Sequence, residues 1–228
     1  ASSTAESAGS VVAIGAIVFL SIINYLGVIP GSRLLNVFVV LKVAALAVLI
    51  ASGLFYSGVL EPAQQVAAPG STGTLTAFGA APIPIVFAYG GWQNANYVAE
   101  EIRDPKRILP ICLLLGTAIV AVVYVTINVA YLQALGLGGL AATTTPASDA
   151  ARLLFGAAGD RFVTAAIAIS TFGFLNLCVL APTRVYYAMA ADGAFFPQVA
   201  RVHPTYQTPS LAIVLQSTWA IALTLTGT

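Results

Sequence analysis

Gly90 and Gly91 lie side by side inside an apolar stretch, with Pro82-Ile83-Pro84-Ile85-Val86-Phe87-Ala88-Tyr89 before them and Trp92-Gln93-Asn94 after. Each glycine weakens a helix. In a bilayer, freed backbone groups are tolerated only against protein or a water-filled cavity. A break in a membrane helix therefore points to a binding site. C=O groups at the end of the outer half, 82–89, can accept from an ammonium, and N–H groups at the start of the inner half, 92–99, can donate to a carboxylate. Such a gap recognises a zwitterion with little side-chain charge, and Phe87, Tyr89 and Trp92 flank it as covers. The competing reading is a glycine-mediated helix contact. Adjacent glycines lack the four-residue spacing of that contact, and Gln93, Asn94 and Asn96 follow at once. Polar side chains at membrane depth require a cavity or partners.

Lys42 is the second candidate. It lies nine residues past Arg33, so a helix carries it roughly 13 Å further into the bilayer. A lysine there either snorkels to the interface or works in the site. Working, it would stand where another protein binds a cation, or carry a proton after desolvation lowers its affinity for one; the sequence leaves both roles open. Ser170, Thr171, Gly173 and Asn176 form a third group. Their hydroxyls and amide can serve Lys42 or the ligand, or make ordinary bonds between helices.

Other chemistry is excluded. The chain has no H-E-x-x-H, P-loop, G-x-S-x-G or C-x-x-C pattern. His203 is the single histidine and sits in a Pro-rich polar loop, where a surface role is expected. Cys112 and Cys178 fall in apolar segments and read as reduced core residues. The run Glu100-Glu101-Ile102-Arg103-Asp104-Pro105-Lys106-Arg107 balances three acids against three bases. It reads as a self-neutralising loop, with Glu100 within i,i+3 reach of Arg103. With Lys42 as the sole buried ionisable group, the chain is not expected to be an enzyme, and it calls for no cofactor or metal.

The elements that must position these residues follow from hydropathy. Hydrophobic residues make up 59% of the chain and charged ones 7%, against roughly a quarter charged in soluble domains. The expectation is an all-α integral membrane protein. Apolar runs near the 20 residues a bilayer needs occur at about 9–29, 34–58, 80–99 (broken at 90–91), 110–135, 161–185 and 210–228. Pro30-Gly31-Ser32-Arg33 reads as a turn, Pro110 as the start of the fourth span, and 147–154 as a short helix. Six basic residues (Arg33, Arg103, Lys106, Arg107, Arg184, Arg201) fall in alternate loops against two (Arg152, Arg161) in the others. The positive-inside rule then places loops 30–34, 100–109 and 186–209 in the cytoplasm of a multi-pass cell-membrane protein. The net charge of +1 and the lack of a basic run give no footprint for nucleic acid. Both ends look cut, so a fragment of a longer polytopic protein is expected.

Phe87-Ala88-Tyr89-Gly90-Gly91-Trp92 followed by Glu100 to Pro110 resembles the sixth helix and next loop of amino acid permeases. The family is the amino acid–polyamine–organocation superfamily, in its L-type amino acid transporter branch. Asn36-Val37-Phe38-Val39-Val40-Leu41-Lys42 resembles that branch's fifth helix. Arg184 to Ala190, Asp192-Gly193, His203-Pro204 and Thr208-Pro209 resemble the end of its eighth helix and the following loop. The resemblance covers nearly the whole chain in order and spacing. It implies helices four to nine of a twelve-helix, LeuT-like inverted-repeat transporter. It further implies that Phe87, Ala88, Tyr89, Gly90, Gly91 and Trp92 line a substrate site, with Phe87 as gate and Gln93 just inside. By the resemblance Lys42 would take the place of a sodium ion; Ser170, Thr171 and Asn176 are the candidates, read from their residue types, to join it in the coupling. Phe174 stands where the family often has a small or hydroxyl residue.

The function so implied is sodium-independent secondary transport of amino acids by alternating access. The partners are an amino acid substrate, the lipid bilayer, and a proton or counter-substrate. Neutral substrates are favoured because the broken segment carries no acidic side chain. The alternatives are a cationic amino acid or polyamine transporter, or a receptor or channel on the same fold.

Overall fold

Glycine and proline set the boundaries of an otherwise helical chain. The structure, a computed structural model, describes residues 2–56, 79, 89–99 and 102–226. Helices α1 (Ser2–Tyr25), α2 (Val28–Leu54), α3 (Asn94–Tyr97), α4 (Pro105–Ala142), α5 (Pro146–Phe155), α6 (Ala157–Leu180), α7 (Pro182–Ala191) and α8 (Ser210–Thr226) account for most of it, with a 3-10 turn at Pro197–Ala200. Among the described residues there is no strand. Among the described residues, four stretches are long and apolar enough to cross a membrane: Ala8–Tyr25, Val28–Leu54, Pro105–Ala142 and Ala157–Ala191. Ser210–Thr226 is apolar but shorter, and most of the broken third span lies outside the described residues.

Several boundaries differ from the sequence reading. Pro30-Gly31-Ser32-Arg33 is not a turn but part of the first turns of α2, where a proline's missing N–H is one the helix leaves unpaired anyway. The reversal sits at Leu26 and Gly27, and Gly27 has φ +144°, a conformation that favours glycine. Likewise α4 starts at Pro105 rather than Pro110, so 105–109 is helical. Gly136, at φ 68° and ψ 172°, interrupts α4 where the fourth span was expected to end. The short helix near 147–154 is α5.

Pro182 divides the fifth apolar run into α6 and α7. Its ring has no N–H for the carbonyl of Cys178, four residues back. Gln216 of α8 donates its side-chain amide to that carbonyl instead. Thr183 Oγ1 donates to Val179 O at 3.1 Å and Leu180 O at 2.9 Å, and the Arg184 guanidinium also donates to Leu180 O. Side chains thus repair a ladder that the membrane interior would otherwise leave open.

The described residues form two compact units. One comprises those within Ala1–Lys42, Tyr97–Glu101 and Ala168–Thr228, the other those within Val43–Asn96 and Ile102–Ile167. In the first, α1 packs on α8, and Ile17, Leu20 and Ile213 are buried. Ser21 and Ser217 meet there at 2.6 Å. Ala190, Val199 and Ala212 seal α7 and the 3-10 turn onto α8. His203 closes the loop before α8: its Nδ1 accepts from the Thr205 and Tyr206 N–H groups at 3.2 and 3.3 Å, and its ring stacks on Tyr206 at 4.6 Å. In the second unit, Leu49, Ile127, Ala151 and Val163 form the core. Gly53 lies so close to Ala130 that a Cβ would meet the Ala130 Cβ at 2.7 Å. Cys112, expected in a core, is exposed, because an apolar residue on a membrane helix can face lipid as readily as protein.

Candidate functional site

Of the expected break, residues 89–99 are described, and 82–88 lie outside the described residues. Residues 89–93 form turns rather than a helix, and Gly91 has φ +101°. Here glycine is required by the backbone and not by crowding, since the nearest atom to a Cβ on Gly91 would be Asn94 Nδ2 at 3.8 Å. The inner half resumes as the single turn of α3.

The polar residues after the break serve it directly. The Gly91 N–H donates to Gln93 Oε1 at 3.0 Å. The Gly91 carbonyl accepts from the Asn94 N–H at 3.1 Å and from Asn94 Nδ2 at 3.0 Å. The backbone groups that the sequence left open for a zwitterion are therefore partly occupied by the chain's own amides. Among the described residues, no acceptor meets the N–H of Trp92 or Gln93. Tyr89 stands edge-on to Tyr124 at 5.6 Å and 90°, which fixes one flank of the gap. Trp92 is 62% exposed. Phe87 and Ala88 lie outside the described residues, as do Glu100 and Glu101, and with them the Glu100–Arg103 pairing.

The coupling candidates lie in the first unit. Helices α2 and α6 run antiparallel: Gly31 meets Asn176 and Leu180, and seven residues on, a Cβ on Gly173 would come within 2.9 Å of the Phe38 Cβ. Lys42 follows Phe38 by one turn and Ile169 precedes Gly173 by one, so the register sets Lys42 level with Ile169 and Ser170. Lys42 is half-buried and, among the described residues, has no hydrogen-bond or ion-pair partner. Ser170 is half-buried and Thr171 exposed. Phe174 is 59% exposed and does not intrude on the contact. Asn176 is fully buried and engages Gly31 and Asn24. No signal in the sequence could have named those partners, which lie 145 and 152 residues away. Among the described residues, no three His, Cys, Asp or Glu side chains are grouped to hold a metal.

Comparison with known proteins gives the context for this geometry. A family model described as amino acid permease matches residues 2–228. The chain is 32% identical over 224 residues to the serine/threonine exchanger SteT of Bacillus subtilis, covering 94% of the chain and 49% of that protein. It is 30% identical over 227 residues to the mouse b(0,+)-type amino acid transporter 1, covering 94% and 44%. It is 34% identical over 128 residues to the rabbit large neutral amino acids transporter small subunit 2, covering 56% and 24%. The chain thus spans about half the length, or less, of these curated relatives.

Proposed function

Because the chain belongs to the amino acid permease family, we propose that it forms part of a secondary transporter that carries amino acids by alternating access around the 89–93 break. It is an all-α, multi-pass membrane protein, and its relatives are named as transporters and exchangers, not enzymes. The twelve-helix inverted-repeat architecture, a cell-membrane location and a cytoplasmic placement of residues 30–34, 100–109 and 186–209 belong to the same proposal.

The observation that carries the reading is Gly91. A glycine at φ +101° lies in an apolar segment, and its N–H is held by a neutral side-chain acceptor that a charged ligand could displace. A zwitterion's carboxylate would take the Gly91 N–H that Gln93 Oε1 now holds, aided by the N–H groups of Trp92 and Gln93. An ionised acceptor makes a stronger bond than an amide oxygen, by about twofold. Phe87 and Trp92 would close over the ligand, Ala88, Tyr89 and Gly90 complete the wall, and Lys42 with Ser170, Thr171 and Asn176 couples the site to the cycle. Neutral substrates fit best, since 82–99 contains no acidic residue. Lys42 in place of a bound cation supports sodium-independent operation, with a proton or a counter-substrate completing the cycle.

The test is uptake into proteoliposomes by the whole protein across an amino acid panel, varying internal amino acid, pH gradient and sodium. Saturable uptake of neutral amino acids, accelerated by internal substrate or a pH gradient and indifferent to sodium, is the expected result. Strict sodium dependence, or unsaturable flux, overturns it.

A further inference from the structure

Asn176 is 0% exposed, and its amide reaches both the end of α1 and the start of α2. Its Nδ2 donates to the Gly31 carbonyl at 3.0 Å, and its Oδ1 accepts from Asn24 Nδ2 at 2.7 Å. Asn24, 1% exposed, donates from the same Nδ2 to Leu20 O at 2.8 Å. Asn24 Oδ1 has no partner among the described residues and lies against Gly31, where a Cβ would stand only 2.4 Å from it. Helices α1, α2 and α6 therefore converge on one glycine through two buried amides. Burying an amide without its bonds is costly, so this junction has one arrangement that satisfies it best.

The junction sits four residues beyond Gly27, whose φ of +144° makes it a natural pivot for α2. The second anchor is the Gly173–Phe38 contact. Lys42 lies one turn beyond that anchor, roughly 16 Å along the helix from Gly31. A rigid helix held at these two points transmits a change at Gly31 to Lys42 by tilting and turning about the Phe38 contact.

We infer that Asn176 is a positioning residue: through the Gly31 carbonyl it fixes the depth and rotation of α2, and through α2 the place of Lys42. The value of this to transport rests on Lys42 acting in coupling, but the geometric claim stands apart from it. A bond that only glued helices together would add stability wherever it lay and leave the surroundings of Lys42 unchanged.

The experiment reads position directly. In the whole protein in membrane vesicles, with Cys112→Ser and Cys178→Ser in place, the Lys42→Cys variant is labelled with a small methanethiosulfonate reagent. Asn176→Leu and Gly31→Ala are each expected to change its labelling rate by roughly fivefold, the size a lost buried hydrogen bond gives, while labelling of a Val12→Cys control stays constant. Asn176→Gln, which keeps the amide but displaces it, provides the same readout if Asn176→Leu fails to insert. A rate at position 42 within twofold of the parent in the inserted variants overturns the inference. Amino acid uptake by the unaltered protein is measured alongside. Its absence would count against the transport reading and leave the labelling result valid.

Discussion

Gln216 donates its side-chain amide to the carbonyl of Cys178, the one carbonyl in α6 that Pro182 leaves without its helical donor. An unmet carbonyl inside an apolar layer costs about 1–3 kcal/mol. Gln216→Leu should therefore lower the unfolding midpoint of the detergent-purified protein, and Pro182→Ala, which restores an N–H, should remove most of that loss. Equal losses in both backgrounds would mean that the amide serves something other than the proline gap.

Gly91→Ala isolates backbone from bulk. Space for a methyl group exists, but the left-handed φ costs a non-glycine residue about 1–2 kcal/mol. Uptake should fall roughly tenfold or more with insertion intact. Gly90→Leu should abolish substrate binding in the same assay. Wild-type uptake in either variant would remove the 89–93 turn from the binding site.

Lys42→Ala should slow or uncouple transport, because no other charged group shares its level on α2 or on the facing turn of α6. The measurement is exchange across a pH series. Normal exchange at every pH would make Lys42 a snorkelling residue.

The ion pair between Arg152 and Asp160 should matter little. Arg152 Nη2 reaches Asp160 Oδ2 at 2.8 Å, but the side chains are 63% and 42% exposed, and exposed pairs are heavily screened. Asp160 raises the guanidinium's proton affinity. That contribution is present below the group's ordinary range and is lost only as pH rises through it, far above neutrality. Asp160→Asn should leave the unfolding midpoint unchanged between about pH 6 and 8, well below the reference range of arginine, and a clear drop would reveal a role in holding α5 on α6.

The sequence made Gly90 and Gly91 legible because paired glycines in an apolar run have few explanations. It made the helices legible because apolar length is a strong signal. It misplaced the α1–α2 reversal because Pro-Gly-Ser is a louder signal than a lone Gly27, although a helix accepts proline in its first turn. It placed Cys112 inside because hydropathy cannot separate a lipid-facing residue from a protein-facing one. Asn176 stood out by type, but its partners depended on a packing register that only the assembled helices reveal.

Gln93 gives the gap an internal competitor. Because its Oε1 already satisfies the Gly91 N–H, a visiting molecule gains only the difference between its own acceptor and a neutral amide. Weak acceptors such as esters or carboxamides gain almost nothing from that exchange, whereas a carboxylate gains the full increment of its charge. Under the proposed binding at 89–93, the resting loop would act as a threshold as well as a seal, rejecting near-misses by parity rather than by shape.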